Sequence, residues 1–342
     1  MKKQKMFNIY APNKSTRIVE GEASGVLNWD DIRIPELYKL YRVLLGNHWI
    51  PDEISMKEDQ RQFPELSQAE RIAFEKIISL LAVLDSMQTR YLGRLVEYFT
   101  DPACEAIAAI IGQQEVVHNQ SYSYVLSSLV DWQKQKEIFE HWKHDPVLLE
   151  RNLFISETYQ KFDDDKNPKT FLESVVADMI LEGIFFYAGF AFFYNLARQG
   201  KMLGTSQMIS YIQRDEQHHC YFFGLVYQQL LKDFPELDNP DTVEMTYKMI
   251  DKAVELETKW AYHLLSEVEG IDLEDFTNYI KHIANRRLKM FGLEPIYENV
   301  HNALPWIKPF VDESLNATKS DFFEAKPRTY AKTSIDNGFD DL

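Results

Sequence analysis

The sequence predicts an all-α protein, a bundle of long helices, and three observations support this fold class. Gly and Pro are scarce, at 13 each in 342 residues, which favours long uninterrupted elements over a turn-rich β fold. Apolar residues recur at helical spacing, without an alternating strand pattern or a short-period repeat. The hydrophobic fraction of 45% is ample for a large buried core.

Capping residues and prolines mark where the helices begin. Ser67 and Glu70 read as a capping box, and Asp101-Pro102 and Asn167-Pro168 each supply a cap and a first-turn proline. With the helical spacing, these signals predict helices over about 32–45, 67–99, 102–130, 168–200 and 205–232, and two or three more between 240 and 291.

The two ends of the chain differ from the middle. Residues 1–30 are polar, so we predict an irregular N-terminal surface segment before a helical domain over 31–312. Residues 313–342 form a predicted flexible C-terminal tail, because the stretch from residue 325 onward is polar, has isolated aromatic residues and lacks helical periodicity. An ordinary frayed terminus is the alternative for this segment.

Charge and composition exclude several classes of function. The formal net charge is −16, and no run of Lys and Arg could follow a phosphate backbone, so we expect no nucleic-acid partner. Two cysteines, Cys104 and Cys220, are too few for a disulfide scaffold and fit a reducing cytoplasm. The N-terminus lacks an apolar segment of signal-peptide length. The most apolar stretch, 179–197, contains Glu182, which favours a fully buried helix over a membrane span.

Glu-x-x-His, a motif that can bind a metal ion, occurs three times. Glu115 with His118 and Glu216 with His219 lie near the middles of two predicted helices, where a spacing of three places both side chains on one face. A single copy is weak evidence, because surface helices often carry Glu and His. The third copy, at 298–301, lies in loop-like sequence, and we assign it to chance.

Two isolated acids extend the pattern. Asp85 is the only charged residue between positions 76 and 90, and Glu182 the only one between 178 and 198. An unpaired carboxylate in such apolar surroundings is costly, so each should be neutral, paired or metal-bound. A satisfied buried acid is the alternative for either alone. The ligands therefore occur in the chain order acid, Glu-x-x-His, acid, Glu-x-x-His. This is the ligand set of ferritin-like di-metal bundles. Its many carboxylate oxygens suit iron or manganese better than they suit a closed zinc site.

Tyr122 distinguishes the predicted site from one that only stores iron. It follows His118 by four residues, which places its ring one turn along the same face. The spacing of the nearby Tyr124 points that ring elsewhere. A dry tyrosine beside an oxidising metal pair can lose an electron and a proton and keep the radical. Four apolar residues could shield it from water, or could be plain core: Phe186, Phe190, Ile209 and Ile212.

With these residues the sequence resembles the small subunit of class I ribonucleotide reductase, from about Asn28 to the tail. The resemblance implies a homodimer of ferritin-like chains, whose metal pair reacts with molecular oxygen to generate the oxidant used by a separate large subunit. Tyr122 matches the radical tyrosine. Its implied apolar pocket consists of Phe186, Phe190 and Ile212. The implied metal ligands are Asp85, Glu115, His118, Glu182, Glu216 and His219.

The resemblance also implies a route for the oxidising equivalent. Trp49 is similar to the family's tryptophan, although His48 replaces the usual aromatic residue, and Asp215 would connect it to His118 by hydrogen bonds. Without the resemblance, Trp49 would be interpreted as core and Asp215 as surface. Tyr330 resembles the tail tyrosine that passes the oxidising equivalent across the subunit interface.

The same resemblance implies the partners but does not determine the identity of the metal ions. The acidic, aromatic end at 339–342 resembles the segment that docks onto the large subunit, and the family's nucleotide-binding cone is not apparent before the first helix. Di-iron is preferred because Tyr122 is present, but manganese–iron and dimanganese relatives share nearly the same ligands, and in some relatives the metals store the oxidising equivalent. An activating flavoprotein stays an open alternative.

Two other functions compete with this interpretation. An iron-storage protein would use similar ligands but has no need for Tyr122, Trp49 or a tail that carries Tyr330. A ligand-binding oxidase of the same superfamily tends to carry Glu where Asp85 stands and to lack the docking tail.

Overall fold

The computed structural model describes residues 1–310, and the regular structure in this range is helical. The only β contact among these residues is an isolated bridge between Val19 and Phe99. The predicted all-α class is therefore confirmed. The α-helices are α1 (Glu36–Gly46), α2 (Lys57–Gln62), α3 (Gln68–Leu95), α4 (Pro102–Leu129), α5 (Trp132–Glu140), α6 (Pro146–Asp164), α7 (Pro168–Ile180), α8 (Tyr187–Ala197), α9 (Leu203–Asp233), α10 (Pro240–Leu265) and α11 (Leu273–Phe291).

The long helices begin at the caps that the sequence indicates. The Ser67 hydroxyl accepts a hydrogen bond from the Glu70 backbone N–H, and the Glu70 carboxylate accepts one from the Ser67 N–H, which completes the capping box of α3. Asp101 and Asn167 accept backbone N–H groups at the starts of α4 and α7. These bonds satisfy donors that a helix start would otherwise leave unpaired.

Helices α2, α5 and α6 were not predicted. Helices α5 and α6 begin at Asp131 and Asp145, whose side chains accept backbone N–H groups of the first turn. Both caps are visible in the sequence, and the helices that follow them are 9 and 19 residues long. The region from 240 to 291 contains two helices, α10 and α11.

The predicted helix over 168–200 is interrupted. Helix α7 passes into a π turn, Leu181–Phe185, before α8 continues to Ala197. The stretch Pro168–Ala197 is long and apolar enough for a membrane span, but its most apolar part is entirely buried in the protein. It is the central helix of the bundle, as the buried-helix interpretation expects.

Four helical segments surround the centre of the bundle. Helix α3 packs along α4, and the α7 to π-turn segment packs along α9, while α4 and α9 also touch. Helices α10 and α11 cover the π turn from outside. The N-terminal segment is largely irregular and wraps the bundle, yet Ile18 and Val19 are fully buried. The backbone N–H of Ile18 donates to Asp233 at the end of α9.

Candidate metal centre

The structure brings all six predicted ligand side chains into one fully buried cluster. Helix α3 and the π turn each contribute one acid, and α4 and α9 each contribute one Glu-x-x-His pair. The members are Asp85, Glu115, His118, Glu182, Glu216 and His219.

Ligand atoms of these residues form two overlapping groups, each within 4.8 Å. One group holds Asp85, Glu115 and His118, and the other holds Glu115, Glu182, Glu216 and His219. The Nδ1 atom of His118 lies 3.7 Å from Glu115 and 3.1 Å from Glu216. The Nδ1 atom of His219 lies 3.1 Å from Glu115 and 2.9 Å from Glu216. Glu115 and Glu216 therefore each face both imidazoles, and either carboxylate could help to hold an ion on each side.

Several buried oxygen atoms in the cluster make no hydrogen bond of good geometry among residues 1–310. Both oxygens of Asp85 and of Glu115 are in this state, as is one oxygen each of Glu182 and Glu216. Buried polar atoms of folded proteins are normally paired, because unpaired burial is costly. Cations held between the carboxylates would supply the missing partners. The donor set therefore fits a dinuclear site, with the oxygen-rich ligands that iron and manganese accept.

The electrostatics of the cluster point the same way. Burial and the Glu115 charge raise the pKa of Asp85, and burial raises the pKa of Glu182 to about 8. Burial opposes charge on His118 and His219, but the surrounding carboxylates raise the pKa of both imidazoles. In the absence of ions, bound protons therefore balance the negative charge of the carboxylates. Metal binding would displace those protons, because ligands bind in their deprotonated forms.

Each imidazole is oriented by a residue on the other helix. In both cases that residue stands directly before the glutamate of its own Glu-x-x-His motif. The Oε1 atom of Gln114, next to Glu115, lies 2.9 Å from Nε2 of His219. The Oδ2 atom of Asp215 lies 3.4 Å from Nε2 of His118. Such bonds fix which ring nitrogen faces a metal. Gln114 was not predicted, although its position before Glu115 matches that of Asp215 before Glu216.

Asp215 also connects the cluster to Trp49. The Trp49 indole N–H donates to Oδ2 of Asp215 at 2.8 Å, and the Trp49 ring lies 6.3 Å from the His118 ring. Burial raises the pKa of Asp215, but hydrogen bonds and charge from His118, Arg214 and Trp49 lower it below its ordinary value. Asp215 is fully buried, so interpreting it as a surface residue would have been wrong.

A polar network supports Glu182 on the side of α3. Gln88 donates to both Glu182 and Asp178, and it accepts a hydrogen bond from the Tyr159 hydroxyl at 2.8 Å. Asp178 is fully buried, and burial together with Glu182 raises its pKa. Sequence reasoning missed Gln88 and Asp178, although Asp178 precedes Glu182 by one helical turn.

Tyr122 lies beside the cluster and is almost completely buried. Its hydroxyl makes no hydrogen bond of good geometry within the described residues. Burial and the neighbouring Asp85 carboxyl raise its pKa, so the phenol holds its proton at neutral pH. The competing Tyr124 donates to the Ile54 carbonyl oxygen at 3.0 Å instead.

The other predicted positions fall in three places. Residues 298–301 are outside the α-helices and largely exposed, in agreement with a chance motif. Tyr330 and the docking end at 339–342 lie outside the described residues, as does the rest of the predicted tail, 313–342. The apolar residues predicted around Tyr122 are all buried in the core, with the Phe186 and Phe190 rings 5.6 Å apart: Phe186, Phe190, Ile209 and Ile212.

Comparisons with known proteins agree with this arrangement. The family model for ribonucleotide reductase, small chain, matches residues 26–303. The chain is 52% identical to a ribonucleoside-diphosphate reductase subunit beta from Halalkalibacterium halodurans, over all of this chain and 99% of the relative.

Solved structures show the same fold. A ribonucleotide reductase R2 subunit from Clostridium botulinum has a TM-score of 0.88 at 37% identity, and it covers 91% of this chain and 98% of its own. A dimanganese(II) NrdF protein from Streptococcus sanguinis has a TM-score of 0.76 at 24% identity, covering 84% and 99%, which supports the fold alone.

The family match favours the reductase over the iron-storage and oxidase alternatives. It covers most of the chain and contains all six clustered ligands, Tyr122, Trp49 and Asp215. The chain belongs to the small-chain family of ribonucleotide reductase, to which the beta subunits of ribonucleoside-diphosphate reductase belong.

Proposed function

We propose that the buried cluster holds two metal ions and that Tyr122 stores the oxidising equivalent as a radical. Di-iron is our first choice, because a tyrosine is present beside the cluster. Manganese–iron and dimanganese are the alternatives, since availability and surroundings of the ligands decide such cases. The name of the Streptococcus sanguinis neighbour records manganese in that protein. When bound, the metal pair supplies oxidising power through its reaction with molecular oxygen.

The observation that carries this proposal is the position of the Tyr122 hydroxyl. It is buried, faces Asp85, and lacks a good hydrogen bond within the described residues. When the phenol loses an electron, its proton can pass to the neighbouring Asp85 carboxylate. Exclusion of water, with Phe186, Phe190 and Ile212 as the proposed wall, would then protect the radical from reduction.

The oxidising equivalent leaves through Trp49 in this proposal. The contacts from Trp49 to Asp215 and from Asp215 to His118 form a continuous polar path to the cluster. Tyr330 would carry the equivalent onward to the large subunit, and residues 339–342 would dock there. The chain itself would need no nucleotide site.

We also propose a homodimer in the cytoplasm. A groove between α3, α4 and α6 has an apolar lining that includes the exposed Val116 and Leu153. A second copy of the chain would cover this face. An activating flavoprotein is a further proposed partner. Sedimentation of the purified chain tests the dimer, and a monomer at micromolar concentration would contradict it.

The experiment that tests the proposal is replacement of Tyr122 by Phe. The variant should bind two ions per chain, as the wild type does, because the hydroxyl is not among the clustered ligands. After iron and oxygen are added, paramagnetic resonance should detect a tyrosyl signal in the wild type and none in the Tyr122 variant. Tyr124→Phe is the matched control and should keep the signal. A signal that persists in the Tyr122 variant would overturn the assignment.

A further inference from the structure

The π turn that carries Glu182 is bonded from outside its own helix. Regular helices satisfy their interior backbone groups internally, whereas π turns are short irregularities that are frequent at functional sites. Here three backbone groups in or just after the turn bond to charged side chains from α6, α10 and α11. Buried backbone groups need partners, and these side chains supply them.

Two of these side chains form an ion pair that is hydrogen-bonded to the backbone at the end of the turn. Arg151 donates to the carbonyl oxygen of Phe185, and the Ala188 N–H donates to Oε1 of Glu257 at 3.2 Å. Nη2 of Arg151 lies 2.5 Å from Oε2 of Glu257, and both side chains are fully buried. The pair therefore ties α6 and α10 to the junction of the π turn with α8.

The third side chain holds the first half of the turn. Nε of Arg287, on α11, donates to the carbonyl oxygen of Gly183 at 2.9 Å. The same guanidinium donates to the hydroxyl of Tyr187, at the start of α8. A methyl group on Gly183 would lie 2.8 Å from Nε of Arg287, so the glycine is what permits this approach.

The ion pair is buried at an electrostatic cost, although the Arg151 guanidinium also lies over the rings of Phe185 and Trp260. Burial lowers the pKa of Arg151 to about 10 and raises that of Glu257 to about 7, which means that pairing recovers only part of the cost of burial. Nε and Nη1 of Arg151 have no hydrogen-bond partner among residues 1–310. Buried ion pairs can often be replaced by apolar residues without loss of stability, so a double apolar variant can keep the fold while it removes both bonds to the turn.

We infer that Arg151, Glu257 and Arg287 are positioning residues that hold the π turn and thereby set the place of the Glu182 carboxylate in the metal centre. The inference rests on the proposed function of the cluster. A π turn contains one residue more than an α turn. If the π turn became an α turn, the two parts of the helix would rotate against each other by about 100°. The Glu182 carboxylate would then no longer lie beside the other ligands.

Arg287→Met and the double variant Arg151→Met with Glu257→Leu test the inference. Mn²⁺ is titrated into the full-length protein without oxygen, free Mn²⁺ is followed by paramagnetic resonance, and urea unfolding is measured on the same samples. The wild type should bind two ions. Each variant should lose at least tenfold in affinity at one of the two sites, and Arg287→Lys should recover part of it, because an ammonium can still donate to Gly183.

Two further variants separate positioning from stability. Gly183→Ala keeps every charge, and alanine favours helix, yet its methyl group should displace Arg287 and weaken one Mn²⁺ site. Arg33→Met is the matched control, since it breaks the Arg33–Asp233 ion pair at the far end of α9. The control should lower stability towards urea and leave both Mn²⁺ affinities unchanged.

The outcomes distinguish this inference from the proposed function. A wild-type protein that binds fewer than two ions when titrated with Mn²⁺ and, separately, with Fe²⁺ overturns the proposed function and the inference together. Two wild-type sites with unchanged affinities in Arg287→Met, in the double variant and in Gly183→Ala overturn the inference alone. If Arg287→Met fails to fold, the double variant gives the decision, because the methyl group of Gly183→Ala would also lie 3.0 Å from Sγ of Cys220, next to His219.

Discussion

Replacement of Asp215 by Asn tests whether this carboxylate orients His118 for metal binding. Its side chain faces three donors: the Trp49 indole at 2.8 Å, Nε2 of His118 at 3.4 Å and the Arg214 guanidinium at 3.3 Å. An asparagine has one carbonyl oxygen for these donors. If that oxygen keeps the Trp49 and His118 contacts, the amide group must face Arg214, where two donors meet.

The expected loss follows from these contacts. A neutral hydrogen bond contributes about 1 kcal/mol, and a charge-assisted one is roughly twice as strong. Neutralising the acceptor of two bonds should therefore cost about 2 kcal/mol. The partly exposed Arg214 pair adds at most about 1 kcal/mol. We expect the free energy of unfolding of the metal-free protein to fall by about 2 to 3 kcal/mol, and metal affinity to fall roughly 10- to 100-fold.

Urea unfolding of the metal-free protein and Mn²⁺ titration of the folded protein measure the two quantities separately. Trp49→Phe is the matched control, because it removes one donor and leaves the Asp215 contact with His118. That control should lose stability but keep its metal affinity. The reasoning would be refuted by an Asp215→Asn protein that binds Mn²⁺ as tightly as the wild type.

Three further predictions follow from other features. His219→Ala should lower the metal content found by elemental analysis, and unchanged loading would remove His219 from the ligand set. Deletion of residues 325–342 should leave metal and radical intact but abolish nucleotide reduction with the large subunit; full activity would contradict the docking role. Burial disfavours the Asp145 charge, but bonds from His263, the Leu148 N–H and Lys76 lower the pKa of Asp145 to about 2. Its stabilisation is therefore present above about pH 4 and lost as the pH falls through 2. Asp145→Asn should cost about 1 to 2 kcal/mol at pH 7, with allowance for solvent screening. In urea unfolding this deficit should shrink towards pH 2.5, and a constant deficit would contradict it.

The ligands could be predicted because their sequence signals are local. Asp85 and Glu182 stand out as lone charges in apolar helices, and each Glu-x-x-His pair shares one helix face. The supporting residues lack such signals. Gln88 is an uncharged residue in a long helix, and only the packing of α3 against α7 brings it to Glu182.

The π turn could not be predicted from helical spacing. Spacing predicts one continuous helix over 168–200, because one additional residue changes the apolar pattern little where every side chain is buried. Its bonding partners Arg151, Glu257 and Arg287 are separated in sequence by 34, 69 and 104 residues from the backbone groups that they bond. Helix α6, which carries Arg151, is not among the helices that the sequence predicts, so its contact with the π turn could not be predicted either.

The crossed support of the two imidazoles has a consequence for how this centre tolerates change. Gln114 on α4 orients His219 on α9, while Asp215 on α9 orients His118 on α4. Sliding of either helix along the other would disturb both rings at once. The two proposed metal positions would therefore be mechanically linked, and a substitution that shifts one helix should change the affinity for both ions together.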